Sequence, residues 1–245
     1  MKRSLLFLSI LFTTFIAANG QQIFAHNDYL KPEPFSNAFR LQADYIESDI
    51  FFENGKLLVA HTKEELDPSK TLESMYLKPL SEKVKENKGK LYGLTLMIDL
   101  KTEGTSTMGA LITVLEKFPE ITSCKGLFIT ISGNYPPASE WTKYPKYITF
   151  DGRPNIAYTK EQLARTRMIS TSFSSVSKWD GNGDIPAADL AKIKQTIEAA
   201  HKLGKPIRFW ASPDFENAWR KFIDIGVDVL NSDNIDMLSK FLKSK

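Results

Sequence analysis

Two carboxylates and a histidine lie close together in one apolar stretch of the sequence. Glu47 and Asp49 are two residues apart, and on a β-strand side chains at this spacing point to the same face. Asn54 and Gly55 then form a tight-turn dipeptide, after which a second apolar run leads to His61. The stretch therefore predicts a strand, a turn and a returning strand that bring both carboxylates and the histidine to one site.

Apolar strand-like runs alternate with helical patterns along the rest of the chain. The predicted strands are Gln22–His26, Tyr45–Phe52 with its return Leu57–His61, Leu94–Leu100, Leu127–Ser132, Tyr147–Phe150, Met168–Phe173, Pro206–Ala211 and Val227–Asn231. The predicted helices are Pro34–Gln42, Thr71–Asn87, Ser106–Lys117, Lys160–Thr166, Ala187–Leu203, Asp214–Ile225 and Asn234–Leu242. Alternation of this kind predicts an α/β fold, a (β/α)₈ TIM barrel.

Nearly every predicted strand ends in polar residues. In a (β/α)₈ barrel the carboxyl ends of the strands meet at one rim, where active sites lie. Charges gathered in a concave site are costly unless a metal or ligand neutralises them. We therefore expect the site at this rim, and its candidate substrate-binding residues are Asn27, Asp151, Trp210, Asp233 and Asn234.

Three carboxylates form a candidate site for one divalent cation. Glu47, Asp49 and Asp99 offer only oxygen ligands, which suit Mg²⁺ or Ca²⁺ better than Zn²⁺. Lys101 follows Asp99 by two residues and shares its face. It either balances the acidic charge or holds an oxygen of a phosphoryl group.

Two histidines would complete a site for phosphodiester cleavage. His26 and His61 each end a predicted strand beside the carboxylates. One can take a proton from the attacking oxygen while the other gives a proton to the leaving oxygen. The attacking group is left open, because either water or a hydroxyl of the substrate, which would leave a cyclic phosphate, fits these residues.

The motif set resembles that of the glycerophosphodiester phosphodiesterases, within the phosphatidylinositol-specific phospholipase C-like (PLC-like) superfamily. In that family a histidine ends the first strand, a Glu-x-Asp pair ends the second, and a further histidine follows. These positions are matched here by His26, Glu47, Asp49 and His61, and further matches are Asp99-Leu100-Lys101, Gly226-Val227-Asp228 and Asp233-Asn234.

The chain also departs from the family pattern. The first histidine is usually followed by Arg and Gly, whereas Asn27 and Asp28 follow His26 here. The third ligand is usually Glu, whereas Asp99 stands here. An Asp-x-Lys arrangement with a late tryptophan such as Trp210 is similar to the sphingomyelinase D toxins. The resemblance thus implies metal-dependent phosphodiester chemistry more firmly than it implies a particular substrate.

The resemblance implies hydrolysis of a glycerophosphodiester or of a phospholipid head-group phosphodiester. Its catalytic residues would be His26, His61 and Lys101, and its substrate a small molecule or a lipid, so contact with a membrane surface stays open. One alternative is a lyase that releases a cyclic phosphate. Another is a catalytically inactive barrel that binds phosphorylated head groups. The chain is identified as a member of an uncharacterised bacterial branch of the superfamily.

The amino terminus predicts export. Met1-Lys2-Arg3 precede a short apolar run that closes in small residues at Gly20, the pattern of a signal peptide over residues 1–20. An uncleaved anchor is the alternative, but the apolar run is short for a membrane span of about 20 residues. The expectation is a protein of the periplasm or the extracellular space, with one domain over residues 21–245.

Net charge and cysteine content argue against a nucleic-acid partner and against an internal disulfide. Without Lys2 and Arg3 the formal charge falls from +3 to +1, which argues against a nucleic-acid partner. Cys124 is the single cysteine, so an internal disulfide cannot form.

Overall fold

The computed structural model describes residues 20–244. The predicted signal peptide, apart from Gly20, lies outside the described residues. Within the described part of the chain, no helix has both the length and the apolar character needed to cross a membrane.

Eight parallel strands close into a barrel, which confirms the predicted (β/α)₈ fold. The strands, in chain order, are β1 (Gln22–Ala25), β2 (Tyr45–Glu53), β3 (Lys56–Val59), β4 (Lys90–Leu100), β5 (Lys125–Gly133), β6 (Ile148–Gly152), β7 (Thr166–Ser172), β8 (Ile207–Trp210) and β9 (Val229–Ser232). The barrel closes because β1 pairs in parallel with both β2 and β9. β3 stands apart from the barrel wall, since it is antiparallel to β2 and forms the predicted hairpin.

Helices follow the strands around the outside of the barrel. They are α1 (Ser36–Arg40), α2 (Lys78–Glu86), α3 (Gly104–Leu115), α4 (Pro119–Thr122), α5 (Lys160–Ala164), α6 (Ala187–Lys202), α7 (Glu216–Asp224) and α8 (Ile235–Lys243). The predicted helix Thr71–Asn87 is divided into a π-helical turn, Glu73–Leu77, and α2. Pro79 lies in the first turn of α2 and has no backbone N–H to donate, so the change of helix type occurs where that hydrogen bond is missing. The short helix α4 was not predicted.

The barrel interior changes from apolar to polar along its axis. One apolar cluster is separate from the main core and consists of Phe24, Tyr45, Met97, Met168 and Val229, one residue from each of five strands. Two residues after each of these apolar residues, on the same face of the strand, the side chain is polar; these residues are His26, Glu47, Asp99, Ser170 and Asn231. The pleat thus places an apolar layer beneath a polar layer at the carboxyl ends of the strands.

Gly133 ends β5 where there is no room for a side chain. Its φ of 74° is in the left-handed region. A Cβ at this position would lie 2.5 Å from the carbonyl oxygen of Leu100 and 2.6 Å from Oδ1 of Asp99. Glycine is therefore required both for the backbone conformation and for the close approach of β5 to the carboxylate.

We expect Gly133→Ala to lower the free energy of unfolding by about 3 kcal/mol or more, because strain and overlap add. Urea denaturation would measure the change. Gly55→Ala is the matched control, since Gly55 has a φ of 76° with no atom near the position of a Cβ. The control should lose only about 1 kcal/mol. Equal losses in the two variants would show that the contact with Asp99 is unimportant.

Candidate active site

The three predicted carboxylates come together at the carboxyl end of the barrel. Glu47 and Asp49 lie on β2, and Asp99 lies on β4 directly opposite Asp49 in the parallel register. One oxygen from each of the three lies within 4.8 Å of the others, so the cluster could hold a metal ion. An all-oxygen donor set of this size fits a hard cation such as Mg²⁺ or Ca²⁺.

Burial makes this cluster electrostatically demanding. It raises the pKa of Glu47, against the opposing charges of His26 and Arg208. It likewise raises the pKa of Asp49, against the charge of Lys101. Removing water from carboxylates disfavours their ionised form, so cations nearby are needed to keep the cluster charged.

Lys101 bridges two members of the cluster. Its Nζ lies 2.9 Å from Oδ2 of Asp49 and 2.9 Å from Oδ1 of Asp99. Burial opposes the charge on the ammonium, but the two carboxylates outweigh burial and raise the pKa of Lys101. Ser132 donates a hydrogen bond of 2.8 Å to the other oxygen of Asp99. The lysine therefore stays charged and ties β4 to β2.

His26 lies just beyond β1, between two carboxylates. Its Nδ1 is 2.6 Å from Oδ1 of Asp233, and its Nε2 is 3.6 Å from Oε2 of Glu47. Burial opposes protonation of the ring, but the hydrogen bond to Asp233 and the charge of Glu47 outweigh it and raise the pKa of His26. One ring nitrogen is thus fixed by a carboxylate while the other faces the acidic cluster.

His61 follows the β2–β3 hairpin and lies beside a different carboxylate of the cluster. Its Nδ1 lies 3.5 Å from Oδ2 of Asp49 and 3.1 Å from the hydroxyl of Tyr29. The Tyr29 hydroxyl is also 2.7 Å from Asp49 Oδ2 and 2.7 Å from Oδ1 of Asn27. Tyr29 was not among the predicted site residues, although its position three residues after His26 is a signal that could have found it.

Asn27 and Asp233 support the site from the β1 and β9 sides. The backbone N–H of Asn27 donates to Oε2 of Glu47 at 3.1 Å, and its side-chain amide donates to Asp233 at 3.1 Å. Asn27 has a φ of 50°, a conformation that asparagine tolerates better than most residues. These predicted substrate-binding residues therefore already hold His26 and Glu47.

The other three predicted substrate-binding residues have different surroundings. Asp151 is buried, accepts hydrogen bonds from Ser170 and Arg153, and lies 2.8 Å from the Arg153 guanidinium. Trp210 ends β8 with 39% of its surface exposed. The side chain of Asn234 accepts a hydrogen bond from the backbone N–H at the third position of α8, so it is the N-cap of that helix.

Three buried residues next to the site, Asp28, Tyr76 and Arg208, were not among the predicted site residues. Oδ2 of Asp28 accepts the backbone N–H of Phe35 at 2.6 Å and lies 3.0 Å from the hydroxyl of Tyr76, and burial raises the pKa of Asp28. The Tyr76 hydroxyl is also 3.2 Å from the carbonyl oxygen of Glu47. Arg208 lies on β8 with Nη1 4.0 Å from Oε1 of Glu47. Glu47 was predicted as one of two carboxylates within an apolar strand, and Arg208 likewise is a charged residue within an apolar strand.

The chain is similar in sequence and in fold to known proteins. Residues 15–92 match the model of the AIM6-like phosphodiesterase domain. A glycerophosphodiester phosphodiesterase from Parabacteroides distasonis superposes with a TM-score of 0.59 at 14% identity, covering 92% of this chain and 98% of that one. The chain has the glycerophosphodiester phosphodiesterase fold. A second such enzyme, from Agrobacterium tumefaciens, gives a TM-score of 0.50 at 16% identity, covering 90% and 99%.

Curated relatives extend the match along the chain. The altered inheritance of mitochondria protein 6 of Eremothecium gossypii is 24% identical over 90% of this chain and 69% of its own length. Its homologue in Arthroderma benhamiae is 23% identical over 87% and 81%. The resemblance to the glycerophosphodiester phosphodiesterases is confirmed at the level of the fold. The domain match and the fold together support a phosphodiesterase.

The predicted localisation is wrong. We expected an exported protein of the periplasm or the extracellular space, but the curated relatives are fungal proteins named for altered inheritance of mitochondria. They point to a eukaryotic protein rather than to a bacterial exported one.

We expect Lys101→Met to destabilise the protein in EDTA by about 2 kcal/mol, because two buried carboxylates lose their shared cation. Added Mg²⁺ should raise the melting temperature of this variant more than that of the unaltered protein. Differential scanning calorimetry would measure both. Lys83→Met is the control, since its 2.7 Å pair with Glu86 lies on the surface of α2. A surface pair contributes about 0–1 kcal/mol, and equal losses in the two variants would contradict the prediction.

Proposed function

We propose that the chain is a phosphodiesterase that uses one divalent cation, Mg²⁺ or Ca²⁺, and hydrolyses a glycerophosphodiester or a phospholipid head-group phosphodiester. The observation that carries the proposal is that two histidines lie beside different carboxylates of one cluster. His26 lies beside Glu47 at 3.6 Å, and His61 lies beside Asp49 at 3.5 Å. A diester held over the cluster would have an imidazole toward each of its two bridging sides.

The two imidazoles divide the proton transfers of the reaction. One takes the proton of the attacking oxygen and the other gives a proton to the leaving oxygen, and each transfer contributes about 10²- to 10⁴-fold in rate. Asp233 fixes Nδ1 of His26, so Nε2 of that ring is directed at the substrate position. The Tyr29 hydroxyl is within hydrogen-bond distance of Nδ1 of His61, and Asp49 lies 3.5 Å from the same nitrogen. The other ring nitrogen is left for the second bridging oxygen.

Glu47, Asp49 and Asp99 would hold the cation, which when bound would neutralise charge on the phosphoryl oxygens. Lys101 adds a second positive group at the same edge. Its ammonium is already fixed by two carboxylates, so it needs little reorganisation to donate to a phosphoryl oxygen.

Trp210 is the residue best suited to contact the head group. It ends β8 at the same rim and exposes an aromatic face to solvent. An aromatic face attracts a quaternary ammonium through cation–π contact and also packs against a sugar or polyol. The proposed substrates are therefore small-molecule or lipid phosphodiesters with a choline, glycerol or inositol group.

Hydrolysis of a substrate panel tests the proposal. The panel is bis(p-nitrophenyl) phosphate, glycerophosphocholine, glycerophosphoinositol and sphingomyelin. Phosphorus NMR of the products separates attack by water, which gives a monoester, from attack by a substrate hydroxyl, which gives a cyclic phosphate. Binding of head-group phosphates without turnover of any diester would favour an inactive binding barrel instead.

We expect His26→Ala and His61→Ala each to lower kcat by about 10²-fold or more, because each removes one of the two proton-transfer groups. Steady-state kinetics on the best substrate of the panel would measure the loss. His201→Ala is the matched control. That histidine lies in the last turn of α6 and pairs with Asp228 at 2.8 Å, away from the carboxylate cluster. Turnover close to normal in either site variant would remove that histidine from the mechanism.

We expect EDTA to abolish turnover and added Mg²⁺ or Ca²⁺ to restore it, since three acidic groups would otherwise repel an anionic diester. Activity after dialysis against EDTA, followed by titration with each ion, would measure recovery and name the preferred ion. Full activity in EDTA would contradict the assignment of the cluster as a cation site.

A further inference from the structure

Arg208 carries a positive charge inside the barrel without the hydrogen bonds that such a group normally makes. Only 4% of its surface is exposed. Its Nε and Nη1 are buried, and neither has a hydrogen-bond partner among the described residues. The guanidinium lies over the ring of Phe24, 3.8 Å from the ring centroid.

The closest carboxylate does not satisfy this group. Nη1 of Arg208 is 4.0 Å from Oε1 of Glu47, which is too long for a hydrogen bond. Burying a charged group without its hydrogen bonds costs several kcal/mol, and contact with one aromatic face offsets only part of that cost. This cost is offset if the positive charge of Arg208 stabilises a negatively charged group that binds in the site.

The net charge of the site indicates a role for the positive charge of Arg208. Glu47, Asp49 and Asp99 contribute three negative charges, whereas Lys101 and Arg208 contribute two positive charges. The hydrogen-bonded pair His26–Asp233 adds no net charge when the imidazolium faces the carboxylate. With one divalent cation, these groups then have a single positive charge in excess. That excess matches the single negative charge of a phosphodiester. Without Arg208 the same site would be neutral.

We propose that Arg208 is the fixed cation that allows the metal-loaded site to accept a phosphodiester anion. The inference rests on the function proposed above and extends it to the charge class of the substrate, a monoanion. Arg208 acts through its field on the groups above it, so it is a positioning residue and need not touch the reacting atoms. Inside a barrel, where the effective dielectric constant is low, such a field is only weakly screened.

Two binding measurements on two variants test this proposal. Arg208→Met removes the charge and keeps much of the side-chain volume, whereas Arg208→Lys keeps the charge and loses the planar donor group. Mn²⁺ binding is followed by electron paramagnetic resonance. Binding of dimethyl phosphate, a stable monoanionic diester, to the Mn²⁺-loaded protein is followed by calorimetry.

The expected results have opposite signs for the two ligands. In Arg208→Met, Mn²⁺ should bind about tenfold more tightly, because a repelling charge is gone, and dimethyl phosphate should bind about tenfold more weakly. Arg208→Lys should stay within about threefold of the unaltered protein for both ligands. A general loss of structure cannot produce this pattern, because it would weaken both ligands together.

Three outcomes would overturn the inference. They are weaker binding of both ligands in Arg208→Met, unchanged binding of both, or equal behaviour of the Met and Lys variants. Removal of a buried, unsatisfied charge should leave the fold intact, and thermal unfolding checks this; if Arg208→Met fails to fold, Arg208→Gln carries the same test. Neither measurement requires turnover. An unaltered protein that cleaves no diester would therefore refute the proposed function while leaving these two results to decide the role of Arg208.

Discussion

The structure is governed by the mutual repulsion of three carboxylates held at one end of a barrel. Glu47, Asp49 and Asp99 are fixed by the register of β2 and β4, so they cannot move apart when water is excluded. Two positively charged side chains offset this repulsion. Lys101 bridges Asp49 and Asp99, whereas Arg208 lies beneath Glu47. The carboxylates thus attract a cation, while Lys101 and Arg208 reduce the repulsion that an anion would meet.

The interior of the barrel is divided into an apolar layer and a polar layer, and this division stabilises the charged cluster. Phe24 and Tyr45 belong to an apolar layer that fills the lower interior, and the polar layer begins one pleat higher. The apolar layer supports the strands on which the charged residues stand and keeps water from reaching them from below. The low dielectric constant that makes the carboxylates costly also makes every opposing charge more effective.

Alternation of strands and helices, together with polar residues at strand ends, was enough to predict the barrel and the rim at which the predicted carboxylates, histidines and lysine come together. What escaped prediction depends on partners distant in sequence. Arg208 has the pattern of a charge within an apolar strand, but its significance appears only when β8 is placed opposite Glu47 on β2. Tyr29 was missed because a tyrosine in a loop is more often a packing residue. Asn234 was chosen as a substrate-binding residue because it lies at the end of a predicted strand, and the structure shows that its side chain caps α8.

The two histidines belong to different kinds of structural element. His26 continues a strand of the barrel wall, whereas His61 follows β3, which is antiparallel to β2 and joined to it by the turn at Asn54 and Gly55. Its side chain is 52% exposed. Changes in the length or sequence of this hairpin can therefore shift His61 while the three carboxylates on the barrel strands keep their register. Sequence changes in the hairpin could therefore alter which leaving group is accepted without changing the barrel strands that carry the carboxylates.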